Sequence, residues 1–319
     1  MKTLASITAM PRDLRNSVER PTYTSNRFNY FAGIIIMALN KVRHDILGYT
    51  SSRGFKFEDI DRVVQYDLRV VRRWMDYLES YEKGASNFFK KNILELGPGS
   101  DLGVGLIALA EGAKSYNALD VHNLIMDTPK AFYDALLEHL QQDPYLKTDV
   151  AYLRRELEKF MDGEKDRLNY VANKNFDLST FGDKSIDLIV SNSAFQQFDN
   201  PEKTIKELSD LACPGAYFVA LIDLKTHTRW INKRDPLNIY RYPEIIYKTL
   251  KFKGSQNRVR PNEFKKMLEA NNWENVQVVL RHQLDTSYLN AVQPTLRPRF
   301  RTQDAQMEAL TCIICAKKI

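Results

Sequence analysis

A strand that ends in glycine is the strongest constraint in this chain. Ile93-Leu94-Glu95-Leu96 is a short apolar run that passes at once into Gly97-Pro98-Gly99-Ser100-Asp101-Leu102-Gly103 and then into an apolar helical stretch. Glycines at the end of a parallel strand let the backbone turn sharply and let a ligand approach where a Cβ would otherwise stand. The helix that follows offers unbonded N–H groups at its start. About 20 residues further on, Ala118-Leu119-Asp120 closes a second apolar run with an acid placed to accept hydrogen bonds from two ribose hydroxyls. Glycine turn and acid together predict a nucleoside-binding crevice at the carboxyl edge of a parallel sheet.

The rest of the chain carries the rhythm such a sheet needs. Short apolar runs at Asn92–Leu96, Ser115–Leu119, Leu168–Ala172, Ile186–Val190 and Tyr217–Ile222 alternate with helical stretches at Val104–Glu111, Lys130–Gln142, Val150–Met161 and Pro201–Leu211. That alternation is the βαβ signature of a parallel sheet. A helix at Pro261–Asn271 and strands at Val276–Arg281 and Thr311–Lys317 follow. Before residue 89 the pattern is irregular and then helical, over Asn29–Leu47 and Phe57–Tyr81, with no period-2 alternation. The expected organisation is an N-terminal helical cap over residues 1–88 and an α/β domain over 89–319, with a basic, aromatic insertion at 225–260. The chain has 319 residues, 27% of them charged, and a mean hydropathy of -0.42, which excludes a collagen, a long disordered chain or a mainly membrane-embedded one. The longest apolar stretch, Tyr30 to Leu39, is short of the roughly 20 residues a spanning helix needs. No export signal opens the chain, and three cysteines suit a reducing compartment. The expected location is the cytoplasm, with peripheral contact at the inner membrane surface left open.

Glycine spacing and Glu95 bear on which nucleoside is bound. The turn reads G-x-G-x-x-x-G, not the G-x-G-x-x-G of dinucleotide sites. A carboxylate two residues before the first glycine would repel a pyrophosphate and favour an ammonium group. A cationic, amino-acid-bearing nucleoside fits. At this point residues 90–319 resemble the class I S-adenosylmethionine-dependent methyltransferases: ELGPG and the LD at Leu119-Asp120 look like that family's first two cofactor motifs. Asn175-Phe176 through Asn192 look like its third and fourth. The resemblance implies a Rossmann-like α/β fold, a seven-stranded sheet in the order 3-2-1-4-5-7-6. It also implies S-adenosyl-L-methionine as cofactor, leaving as S-adenosyl-L-homocysteine. The cofactor residues it implies are Glu95, Gly97, Pro98, Gly99, Ser100, Asp120, Val121, His122, Asn175 (at the adenine amine), Phe176 (on the ring), Ser191 and Asn192. Looser likeness in Leu221–His227, Pro236–Tyr242, Asn257–Arg260 and Arg297–Thr302 implies a subgroup acting in glycan and lipid biosynthesis.

Departure from the family pattern after the fourth strand, where Gln196-Gln197 stands in place of Glu-His, assigns no base there. His227, a few residues beyond the fifth strand, is the expected base, with Asp223 as its orienter or as an acceptor contact; an exposed loop histidine is the alternative. Between Lys225 and Lys266 twelve Lys or Arg face three acids, a local excess that favours an anionic partner. Arg241, Arg258 and Arg260, with Tyr240, are the expected acceptor contacts, since guanidinium groups grip phosphate or carboxylate bidentately. Cys312 and Cys315 at i, i+3 of a strand point to opposite faces and predict core packing without a metal. The function expected is methyl transfer, on oxygen, to an anionic small-molecule, glycan or lipid-linked acceptor. An RNA methyltransferase and an inactive cofactor-binding partner subunit are the alternatives. Strand four ends Ser191-Asn192-Ser193-Ala194, without the Pro-Pro-aromatic run that stacks a base, which argues against nucleic acid. Oligomeric state is open.

Overall fold

The computed structural model describes residues 17–21, 26–48, 59–143, 148–182 and 184–319; the first residues of the second expected helix, 57 and 58, and the irregular stretches at 1–16 and 22–25 lie outside them. Strands are β1 (Ser17–Glu19), β2 (Asn92–Leu96), β3 (Ser115–Asp120), β4 (Leu168–Ala172), β5 (Ile186–Asn192), β6 (Ala212–Asp223), β7 (Trp273–Leu284) and β8 (Ala309–Lys318). Helices are α1 (Asn26–Leu47), α2 (Ile60–Tyr81), α3 (Gly103–Ala110), α4 (Lys130–Gln142), α5 (Val150–Met161), α6 (Pro201–Leu211), α7 (Arg229–Asn232), α8 (Glu244–Leu250), α9 (Pro261–Ala270) and α10 (Thr286–Val292).

Among the described residues, all eight strands form one sheet in the order β1-β7-β8-β6-β5-β2-β3-β4. β8 alone runs antiparallel, between β6 and β7. Counted from β2, this is the expected 3-2-1-4-5-7-6 order. One correction is needed: the sheet has eight strands, because Ser17–Glu19 adds a parallel edge strand to β7, Ser17 opposite His282. Three residues are too few to show an alternation, and the zone before residue 89 reads as helical for that reason. Capping explains sharp helix starts elsewhere. Asn200 accepts from the Lys203 N–H at 3.0 Å ahead of Pro201 in α6, and Asp149 accepts from Tyr152 N–H at the start of α5.

Strand alternation divides the core. Ile93, Tyr116, Leu188 and Val190 face one side and pack with α2 through α5. Leu94, Leu96, Ile189 and Phe218 face the other and pack with α6 and α9. Cys315 lies in the first cluster and Cys312 in the second; both thiols are free, and burial pushes them up to about 12. A third cluster joins Met37 of α1 to Tyr240, Tyr242 and Tyr247 of the insertion and to Tyr288 and Phe300. The two N-terminal helices therefore serve different partners: Trp74 and Leu78 of α2 are buried in the sheet's own helical layer, whereas α1 rests on the insertion.

Candidate active site

The carboxyl ends of β2, β3 and β5 converge on a cavity of about 480 Å³, within the usual ligand-pocket range of about 300–1,000 Å³. Gly97 and Gly99 form its floor, with φ of 72° and 89°. At Gly97 a Cβ would stand 2.7 Å from the Ala194 Cβ across the crevice, so both conformation and space require glycine. Asp120, at the tip of β3, lines the opposite wall with Val121. One of its oxygens accepts from the N–H of Val121 (2.6 Å) and His122 (3.2 Å), and the other from Gly99 N–H at 3.4 Å. Those bonds fix both carboxylate oxygens at the crevice wall, although burial raises the group above its ordinary value.

Asn175 and Phe176 form a third wall, and the Phe176 ring lies 4.7 Å from that of Phe198. This apolar corner suits a flat base. Ser193 and Ala194, just past β5, close the end nearest Gly97. Reasoning from the sequence missed Leu124, Phe198, Lys253 and Gly254, which also line the cavity. The last two belong to the insertion; the Lys253 ammonium bonds the Lys174 carbonyl and carries the loop across the opening. A glycine beside a lysine in a basic loop was the one signal available for them.

Six other expected cofactor residues stand behind or beside the lining. Glu95 is 2% exposed and accepts from Tyr116 Oη at 2.6 Å. Burial, then Asp101 and Asp120, push its carboxyl up to about 8, against the opposing Tyr116 bond. Asp101 and, from α2, Asp67 are buried in the same region, and burial raises both. Ser100 offers its carbonyl to the Thr128 hydroxyl, and the His122 carbonyl accepts from Tyr170 Oη. Ser191 is fully buried and donates to Leu96 O at 3.0 Å. Asn192 turns towards α2: its amide donates to Tyr66 Oη at 2.7 Å and accepts from Arg73 at 3.5 Å. Pro98 stays in the turn, off the cavity lining.

His227 Nε2 lies 3.7 Å from Asp223 Oδ2, at 37% side-chain exposure. Burial holds the imidazole below its ordinary value, against the pull of Asp223. Neither residue lines the cavity, but Asp223 N–H bonds Gln196 and His227 N–H bonds Gln256, which keeps the pair at the sheet's carboxyl edge.

The expected acceptor contacts need correction in placement. Arg260 is 0% exposed and donates to the carbonyls of Ala305, Gln306 and Ala309. Arg258 bonds Glu244 and the carbonyls of Ile239 and Tyr242. Arg241 pairs with Asp235 at 2.7 Å, and Tyr240 Oη donates to Leu224 O. All four are buried and their hydrogen bonds run to the backbone, to partner acids and to one another, which is how a long insertion without its own sheet is held shut.

Comparison with known proteins bears on this site. Residues 94–220 match the family described as methyltransferase domain, a span from within β2 to within β6 that takes in Glu95, the glycine turn, Asp120 and Asn175. Among solved structures the chain is similar to CurJ carbon methyltransferase (15% identity, TM-score 0.41, covering 82% of this chain and 56% of that one). It is also similar to the complex of the Haloferax volcanii Trm112 activator with a putative methyltransferase (15%, 0.41, 82% and 96%). A third is Haemonchus contortus phosphoethanolamine N-methyltransferase 2 with S-adenosyl-L-methionine (11%, 0.40, 80% and 52%). No curated protein matches the chain. Fold, crevice and matched segment define the class: a class I methyltransferase fold. Within that fold, residues 94–220 are the segment that matches a methyltransferase domain.

Proposed function

We propose that the 480 Å³ crevice binds S-adenosyl-L-methionine, with Asp120 on the ribose, Phe176 and Phe198 against adenine, and the amino-acid end over Gly97 towards Glu95. The observation that carries this is Asp120: a carboxylate held by three backbone N–H groups at the wall of a glycine-floored cavity. Calorimetry with S-adenosyl-L-methionine and S-adenosyl-L-homocysteine tests it. Asp120→Ala should weaken both by at least tenfold, about 1.4 kcal/mol; equal affinity in the variant would remove the assignment.

The acceptor we propose is an anionic small molecule, glycan or lipid-linked intermediate, methylated on oxygen. The basic excess of the 225–260 insertion, which brings Lys253 to the opening, supports the charge preference. In methyl transfer the acceptor oxygen attacks the methyl carbon as the carbon–sulfur bond breaks, so positive charge on sulfur disappears and close, dry positioning does much of the work. A hydroxyl acceptor must also give up its proton. His227, whose imidazole burial holds below its ordinary value, would take it, with Asp223 holding the ring. Turnover should then fall only on the acid side, below the ordinary histidine value of 6.5. His227→Ala should lose turnover roughly a hundredfold with cofactor affinity unchanged. Retained turnover would dismiss this base.

A further inference from the structure

Among the described residues, a long run of exposed apolar side chains lies outside the crevice, on α1. Phe28, Phe31, Ile35, Leu39, Val42 and Ile46 are each more than half exposed. Their spacing of three, four, four, three and four residues returns after 18 residues to the same helical angle, since five turns of 3.6 residues make 18. The stripe therefore runs straight for about 27 Å, without the drift that a heptad seam shows and that winds two helices around each other. A straight stripe suits a flat partner.

The other side of α1 is locked to the protein, so the stripe cannot turn inward. Asn29, Gly33 and Met37 are buried; a Cβ on Gly33 would collide with Tyr242 Oη and Asn238 Oδ1. Asn238 donates to the Asn29 carbonyl at 3.0 Å, and His44 stacks on Phe252 at 3.9 Å. The borders of the stripe are aromatic and mostly basic, the one exposed acid of α1, Asp45, being paired with Lys41. Arg27 and Arg43 are exposed on its two flanks. Trp230, 41% exposed, stands 6.2 Å from Phe28 with the Arg234 guanidinium over its ring. A groove of about 370 Å³ lined by Arg27, Tyr30 and Phe31 opens at the same end. No helix among the described residues is long and apolar enough to cross a membrane.

We propose that α1 is a bilayer-docking surface: it lies in the interface of an anionic phospholipid membrane, its apolar stripe among the acyl chains, Trp230 at headgroup level and the flanking arginines on lipid phosphates. Amphipathic interfacial helices bind through buried apolar area plus attraction to anionic lipid, and Trp marks the headgroup level. The α1 end at His44 leans on Phe252, next to Lys253 at the crevice opening, so docking would set the crevice beside the lipid surface. This inference does not rest on the methyl-transfer reading.

The test uses the full chain and unilamellar vesicles of phosphatidylcholine, with and without about 30% phosphatidylglycerol. Of three tryptophans, Trp74 and Trp273 are 1% exposed, so a change in emission reports Trp230. Expected are co-sedimentation with anionic vesicles only, a blue-shifted emission, and quenching by brominated acyl chains. The double variant Ile35→Glu, Leu39→Glu should bind these vesicles roughly tenfold less or weaker still, with an unchanged urea midpoint as the sign that it folds. Equal binding to neutral vesicles, no binding to either kind, or no quenching by brominated lipid overturns the proposal. So does a dimer in sedimentation velocity that the double variant converts to monomer while vesicles are ignored, which would give the stripe to a second copy. The quenching arm stands even if the variant fails to fold, and calorimetry without vesicles fails or succeeds independently of docking.

Discussion

Burial makes Glu95 titrate near pH 8, and a cationic ligand would reverse that preference, because a nearby positive charge favours the carboxylate. The folded, unliganded chain holds a proton on Glu95 that the unfolded chain releases above about 4.5. Stability from this group is thus fully present below that value and is lost as pH rises towards about 8. Binding runs the other way: ligand uptake should release a proton near neutrality and tighten as pH rises towards 8. Glu95→Gln keeps the Tyr116 contact possible and removes the titration. At pH 8 the variant should be more stable than the natural chain by about 1–3 kcal/mol in urea titrations, yet bind S-adenosyl-L-methionine at least tenfold more weakly, with a flat pH dependence. Identical pH slopes for the two proteins would show that Glu95 neither carries the proton nor meets the ligand.

At the scale of elements, the insertion shows how buried charge organises a segment that has no sheet of its own. Arg260 opens α9 through a bond from its N–H to Glu263, while its guanidinium reaches three carbonyls some 45 residues away and stands 5.0 Å from the Tyr240 ring. Arg260→Met should orphan those carbonyls and cost about 3–5 kcal/mol, read as a lower denaturation midpoint. A side chain serving only to grip an acceptor would instead raise KM at constant stability. This also shows what was legible beforehand and why. Strands β2 and β4 and helices α4, α5 and α6 were readable to the residue, because apolar period and caps are local signals. The glycine turn and Asp120 were readable because chemistry and backbone demand coincide there. The fates of Arg241, Arg258 and Arg260 were not. A guanidinium in sequence looks the same whether it meets a ligand or a carbonyl contributed by a distant segment, and only the fold decides. Asn192 shows the same at smaller scale, since Tyr66 and Arg73 come from α2, more than 100 residues earlier.

For the molecule as a whole, the order of the sheet sets what can fold before what. β8 is the last strand in sequence but sits inside the sheet, hydrogen-bonded to β6 along Tyr217–Asp223 and to β7 along Trp273–Gln283. Eight of its ten residues are buried, and its side chains enter both faces of the core, Ile313 on one and Ile314 on the other. Without it, β6 would present an open edge in the middle of the structure, while β7 and its neighbour β1 would lose their only connection to the sheet. Pairings of such large sequence separation repay their loop-closure cost only once both partners are in place. The crevice-bearing strands β2 through β6 can therefore associate early, but the chain should not become cooperative until β8 closes the gap. A chain stopped after Glu308 is expected to retain far-ultraviolet signal from its helices, to bind a hydrophobic dye, and to show no cooperative urea transition. A sharp transition with an unchanged midpoint in that truncated chain would mean that the parallel half of the sheet is stable alone, and that β8 merely covers an edge already able to stand in water.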